Sequence, residues 1–349
     1  TLLALSATLG VASQAIILFF AWRRIGLHFK PNFQWRGFGL APALKAGSWT
    51  LAMVLVTQIA GIFQSSVASS AVEGRTGTSV ASVAASGIAW LIFMLPHSVG
   101  TVSLATVYFT RIATHANDGR MEDVKTDLRD GMRVVALISL LATSALIVLA
   151  YPISRVFVGE YPGTAALATV LVAFLVGLAP FSLGFFMQKA FYSLEDTRTP
   201  FWITVVQSAL YIVGALTIQV AVAPIHRVAA LAYLTSATVL ISGILYFVIL
   251  RARIGRFDHG LVTSILRFGI AAILGGLLGW LALTLMGGTG PAAFALQSVA
   301  GAVITSAIVG VVILVGFVLT LWAMRTPEFD FLKATVQPVT KRLAGIFKR

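Results

Sequence analysis

Side chains able to do covalent or acid–base chemistry are scarce in this 349-residue chain. It has no cysteine, so it offers neither a thiolate nucleophile or metal ligand nor a disulfide. No phosphate-cradling glycine loop, H-E-x-x-H pair or G-x-S-x-G elbow occurs, and no two carboxylates share an apolar stretch. An enzyme working on phosphate esters needs clusters of Asp, Glu or His for metal or acid–base work. The chain therefore reads as a non-enzyme with no metal centre, and ATP hydrolysis by it is excluded. His97 is the one histidine within an uncharged stretch. Such a residue is either a hydrogen-bonded structural group or a proton carrier, since ionisable groups at membrane depth are functional candidates.

The elements that must position these residues follow from composition. Hydrophobic residues make up 58% of the chain and charged residues 11%, and the mean hydropathy is +0.94. Soluble domains carry about 25% charged residues, and disordered chains are poor in aromatics, whereas this one has 23 Phe and 7 Trp. Nine stretches lack Asp, Glu, Lys and Arg: 1–21, 47–71, 80–110, 134–150, 164–187, 201–223, 228–250, 268–286 and 292–324. A bilayer core is crossed by about 17–25 apolar residues in a helix. The expectation is an all-α polytopic membrane protein with nine transmembrane helices.

The net charge of +13 is a sidedness signal. Segments 22–46, 111–133, 188–200, 251–267 and 325–349 hold 22 of the 25 Lys and Arg, and the alternate loops hold only Arg75, Arg155 and Arg227. By the excess of positive charge in cytoplasmic loops, the first set and the C-terminus face the cytoplasm. The same charge attracts anionic membrane lipids rather than nucleic acid. Thr1 then lies outside, and with no basic leader before the first span the expectation is a C-terminal piece lacking an odd number of upstream helices.

Pro96, with Gly100 and the neighbouring Ser98, Thr101 and Ser103, interrupts the third span, and Pro180 interrupts the fifth. Each removes a backbone donor and favours a kink, which is either a packing feature or the wall of a cavity that changes shape. Segment 111–133 is expected to form a short amphipathic helix at the interface, with Val124, Leu128 and Met132 on one face. In "FYSLEDTRTPFW" Thr199 is the expected N-cap and Pro200 fits the first turn, so the sixth span should start at Phe201. Glu195, Asp196 and Arg198 then form either a salt-bridged corner or a gate latch. The tail aligns Val336, Val339, Leu343 and Phe347 as a basic surface helix.

Several of these runs carry a family resemblance. "WLIFMLPHSVGTVSLATVYFTRIA" at 90–113 resembles the eighth-helix signature of the MurJ/MviN lipid II flippases, and "DGMRVV" at 130–135 the start of their ninth helix. "KAFYSLEDTRTP" at 189–200 is the most specific match, with Asp196, Thr199 and Pro200 at the family's D-T-R-T-P. "TLGVASQAIILFFAWRRIGLHFKP" at 8–31 is similar to the end of the sixth helix and "QIAGIFQSSVASSA" at 58–71 to the seventh. The resemblance implies a two-lobed multidrug/oligosaccharidyl-lipid/polysaccharide exporter fold. In it, 1–21 is the last helix of the first lobe, 22–46 a linker and 47–250 the second lobe. Residues 251–267 are a further linker, 268–324 two extra helices and 325–349 a basic tail. The variant looks actinobacterial.

The implied activity is movement of undecaprenyl-pyrophosphate-linked peptidoglycan precursor across a bacterial cytoplasmic membrane by alternating access, with no organic cofactor. Arg111, Lys189 and Arg198 are the basic residues left at the cytoplasmic side to meet a pyrophosphate. The arginine that relatives carry before the L-P motif is Leu91 here. Some relatives bind sodium through an aspartate of the seventh helix. The matching position is Gln64, with partners near Gln207 and Thr235, so a monovalent cation would meet neutral oxygens only. Export of another polyprenyl-linked glycan, or a scaffold recruiting cell-wall synthesis or division proteins, are the alternatives.

Overall fold

A computed structural model describes residues 2–24, 40–71, 82–255, 257 and 260–325. Two compact units are present, Thr1–Gly47 and Ser48–Arg349. The first holds helix α1 (Leu2–Arg24) and the opening turns of α2 (Leu40–Ser69). The second holds the remainder of α2 and every later element.

These are α3 (Val83–Pro96), a π-helical segment His97–Val102, α4 (Ser103–Asn117), α5 (Met121–Val148), α6 (Ala150–Phe157), α7 (Tyr161–Leu175) and α8 (Leu178–Ser193). Then follow α9 (Arg198–Ala221), α10 (Arg227–Ile254), α11 (Gly260–Leu285), α12 (Phe294–Gln297) and α13 (Val299–Ala323).

Among the described residues seven helical stretches are long and apolar enough to cross a bilayer, and the pair α7 and α8, bent by 43°, makes an eighth when counted as one span. The ninth expected span falls on α1, whose apolar portion Thr8–Phe20 is shorter. The outward faces are as apolar as the buried ones. Val299–Ala323 has a mean hydropathy of 2.8 while only 33% of it is buried. Surface of that character on every side is stable in lipid and not in water. The chain is a multi-pass membrane protein.

Packing within the second unit is closest where glycine removes the side chain. α11 lies on α13 and on α5. A Cβ at Gly279 would stand 2.2 Å from Ile313 Cγ1, and one at Gly275 would stand 2.9 Å from the Ile313 carbonyl oxygen. Small residues bring membrane helices this near because lipid supplies no hydrophobic drive between them. One core cluster gathers Phe93, Leu171, Phe174 and Leu231; a second, towards the basic helix ends, gathers Leu128, Met132, Phe186, Phe191 and Leu261.

Segment 111–133 differs from expectation. No separate interfacial helix forms: α4 runs on to Asn117, Gly119 turns the chain at φ +73, and α5 starts at Met121. Val124, Leu128 and Met132 do share a face, but it is buried in the protein core instead of the interface. Their partners on α8 were out of reach of a local pattern. The helical tail expected at Val336, Val339, Leu343 and Phe347 lies outside the described residues, as do Arg75 and most of the linker 22–46.

Two of the three arginines that break the charge bias are occupied by helix ends. Arg155 Nε donates to the Leu296 carbonyl at 2.7 Å, at the end of α12. Arg227 donates to the carbonyls of Gln219 and Val222 at 2.8 and 3.1 Å and to Ser70 Oγ at 3.0 Å. The last carbonyls of a helix have no internal partner, and a guanidinium there both bonds them and faces the negative end of the dipole.

Candidate functional site

The basic end of the second unit carries the three cationic candidates in different states. Arg111 Nη2 donates to Asp127 Oδ1 at 2.5 Å, and its guanidinium lies 5.4 Å from the Tyr108 ring centre. The Asp127 side chain is 6% exposed and that of Arg111 55%. His115 Nε2 stands 3.4 Å from the second Asp127 oxygen. The carboxylate thus holds Arg111 from within the α4–α5 pair while the arginine head stays in contact with solvent.

Lys189 and Arg198 have no carboxylate partner among the described residues. The Lys189 ammonium sits over Phe185 and Tyr192 at 5.3 and 5.6 Å, and the Arg198 guanidinium over Trp49 at 5.8 Å. Aromatic faces attract cations without neutralising them. The two residues are linked through α2: Trp49 packs on Phe201 with centroids 5.0 Å apart, and Gln188 and Tyr192 both approach Met53 Sδ. Arg111 belongs to an adjacent face of α8, since Tyr108 meets Phe186 edge-on.

Asp196, not Thr199, caps α9. Its Oδ1 accepts from the backbone N–H of Arg198 and Thr199 at 3.1 and 3.0 Å, and its Oδ2 accepts from the Thr199 hydroxyl at 2.7 Å. The helix accordingly starts at Arg198, a turn before Phe201, with Pro200 in the first turn. Glu195, at φ +58, turns the chain immediately before Asp196. Asp196 also pairs with Arg253 at the end of α10. Burial pushes its carboxyl up, but the Thr199 N–H and hydroxyl and the Arg253 guanidinium outweigh that and hold it below the usual aspartate value.

At Pro96 the helix does not snap but widens. The π segment His97–Val102 begins directly after the proline, and Ser98 Oγ donates to the Met94 carbonyl at 2.7 Å. Among the neighbouring hydroxyls expected to ease the bend, Ser98 is the one that bonds this carbonyl. Gly100 lets Ile138 approach: a Cβ there would stand 2.9 Å from its Cγ2. His97 is 2% exposed, with Nδ1 3.1 Å from Ser182 Oγ and its ring against Phe181 and Phe185.

The second break lies at Val176–Gly177, just before Pro180, which occupies the first turn of α8. Ser236 of α10 makes this break tolerable. Its hydroxyl lies 2.6 Å from the Ala173 carbonyl that the break frees and 3.2 Å from the Phe174 carbonyl, which also accepts from the Gly177 N–H. Gly177 admits it at close range, since a Cβ there would stand 2.8 Å from Ser236 Cα. Nothing local in sequence pairs Ser236 with residues 173 and 174.

Gln64, Gln207 and Thr235, distant in sequence, line one cavity of about 520 Å³ between α2, α3, α9 and α10, floored by Phe174 and Trp90. Among the described residues, none that lines it is charged. Hydroxyls and the two amides supply its polarity. This donor set does not fit the sodium site that the resemblance implies, because no carboxylate is there to offset a desolvated cation. Leu91, at the implied arginine position, is 68% exposed and lies outside this cavity.

Comparison with known proteins places these features in context. Residues 1–301 match the family model described as lipid II flippase MurJ. A probable lipid II flippase MurJ of Borreliella burgdorferi is 31% identical over 135 residues, covering 38% of this chain and 27% of the relative. That of Buchnera aphidicola is 27% identical over 186 residues, 51% of this chain and 34% of the relative. Among solved structures, a lipid II flippase MurJ in an inward closed conformation superposes with a TM-score of 0.63 at 18% identity, covering 89% of this chain and 60% of that one. The fold is therefore shared, and the chain matches about a third or less of the curated relatives' length.

Proposed function

The chain belongs to the MurJ lipid II flippase family, and from that premise we propose that it moves undecaprenyl-pyrophosphate-linked peptidoglycan precursor from the inner to the outer leaflet of a bacterial cytoplasmic membrane. The observation that carries this reading is the pair Lys189 and Arg198, two cations parked on aromatic faces with no carboxylate partner among the described residues. A pyrophosphate bearing sugars cannot cross hydrocarbon unaided, because its charges and hydroxyls would lose their water. Lys189 and Arg198 are placed to donate to its oxygens. Arg111 is held by Asp127 and joins only if a phosphate competes for its guanidinium.

The basic end is assigned to the cytoplasm by the loop charge bias, as is the C-terminus. The bent α7–α8 pair and the π segment are the places where two packings of the same helices differ at low cost, as alternating access requires. The chain acts by binding and motion, and makes or breaks no bond. Membrane potential biases the cycle by about 2.3 kcal/mol per charge per 100 mV. A scaffold for cell-wall synthesis proteins is the second reading, favoured by the exposed Leu91 where relatives grip the substrate with arginine.

The test is the triple change Arg111→Gln, Lys189→Gln and Arg198→Gln in the full-length protein, as the sole copy in cells. The readout is precursor exposed at the outer leaflet, measured with an externally added enzyme that cleaves it. Loss of the outer pool with accumulation inside is the expected result. An unchanged outer pool removes the cationic site, and an unchanged pool with failed growth on depleting the protein favours the scaffold.

A further inference from the structure

We propose that the uncharged cavity between α2, α3, α9 and α10 is a subsite for a neutral N-acetylated sugar ring of the transported lipid. The proposal rests on the transport reading for its biological meaning, but its geometry is independent of the cationic end.

Three observations carry it. The first is charge: every lining residue among the described residues is neutral, whereas a desolvated ion needs an opposite charge or a complete set of acceptors. The second is the mixture of donors and acceptors. Gln64 and Gln207 each bring an amide that both donates and accepts. The Thr235 hydroxyl spends its hydrogen on the Leu231 carbonyl at 2.9 Å, which leaves its lone pairs to the cavity. Beside it the Tyr211 hydroxyl is buried, in a residue only 7% exposed, and faces the Thr235 hydroxyl. A ligand bearing both hydroxyl and acetamido groups matches these amides and the hydroxyl.

The third observation is aromatic. Trp90 is stacked on Phe93 at 4.9 Å and meets Phe174 edge-on at 5.5 Å, so its plane is fixed where it borders the cavity. A rigid ring beside amides and hydroxyls suits a sugar, whose C–H faces are apolar and whose edges are polar. The volume of about 520 Å³ falls within the range of roughly 300–1,000 Å³ usual for small-molecule pockets.

The experiment uses the full-length protein in lipid nanodiscs, with free N-acetylglucosamine and its β-1,4-linked disaccharide as probes, followed by saturation-transfer NMR. Transfer to the ring and acetamido protons is expected. It should weaken about tenfold in Gln64→Leu with Gln207→Leu, and less in Tyr211→Phe, which removes one hydroxyl and keeps the packing. Replacing sodium with potassium should not change it, and neither should the triple neutralisation at Arg111, Lys189 and Arg198. Thermal melting of each variant reports whether it is folded.

No transfer to either probe, or transfer that folded cavity variants leave intact, overturns the proposal. Sodium-dependent stabilisation that disappears in Gln64→Leu would identify a cation site instead and overturn it equally. If the triple neutralisation leaves precursor export intact while sugar contact persists, the cationic reading fails and the sugar subsite stands.

Discussion

Gly275 and Gly276 are neighbours in α11 with opposite surroundings, which makes them a sharp test of how α11 and α13 are held. A methyl at Gly275 would stand 2.9 Å from the Ile313 carbonyl oxygen and 3.1 Å from the Phe317 backbone nitrogen. Ordinary contacts lie at about 3.5–4.0 Å, so the two backbones must part by about half an ångström. No side-chain rotation relieves a clash with backbone. At Gly276 the methyl would meet Ser144 Cβ at 3.5 Å and Val148 Cγ2 at 3.9 Å, which is ordinary contact. Overpacking costs about 1–3 kcal/mol, against a helix-propensity gain of up to about 1 kcal/mol for Gly→Ala. Gly275→Ala should therefore destabilise by about 1–2 kcal/mol, and Gly276→Ala should be neutral or slightly stabilising. Thermal melting in one detergent reads the difference, as a fall of about 2–4 °C per kcal/mol for Gly275→Ala alone. Equal melting temperatures for the two variants would refute direct backbone contact as the reason for the glycine.

Two further outcomes follow from the breaks and caps. Asp196→Ala should cost about 1–2 kcal/mol by removing the α9 cap and the tie to Arg253, read by the same melts. Because the folded carboxyl is held below the ordinary aspartate value of 3.8, its contribution is fully present above that pH and is lost as pH falls through the folded value. The difference between wild type and variant should thus be constant at neutral pH and shrink below about pH 4. Gly177→Ala should destabilise more than Gly276→Ala, since its methyl would stand 2.7 Å from Ser236 Oγ and displace the hydroxyl that serves the freed Ala173 carbonyl. Equal stabilities for these two would show that the break at Val176–Gly177 does not depend on Ser236.

What the sequence made legible was whatever depends on charge and length. Uncharged stretches located the spans, because a charge at bilayer depth costs more than any local preference returns. The D-T-R-T-P run marked a helix start, but propensity chose the threonine where geometry chose Asp196. Segment 111–133 misled because an amphipathic face looks the same whether lipid or protein covers it. Asp127 and Ser236 escaped notice for a different reason. Each matters through a partner on another helix, Arg111 and the α7 carbonyls, and such pairings are set by tertiary packing. Gln64, Gln207 and Thr235 came from the resemblance; their shared cavity came from the folded arrangement of α2, α9 and α10.

The π segment also sets direction. An α-helix advances side-chain azimuth by about 100° per residue, and a π turn takes up one residue more than an α turn does. Residues after Val102 therefore point about 100° away from where an unbroken helix beginning at Val83 would aim them. Arg111 against Asp127, and Tyr108 against Phe186, owe their alignment to that offset. The segment acts as a phase shifter between the two halves of one span. Tightening it to plain α geometry would swing the Arg111 guanidinium off its carboxylate while leaving the span crossing the bilayer.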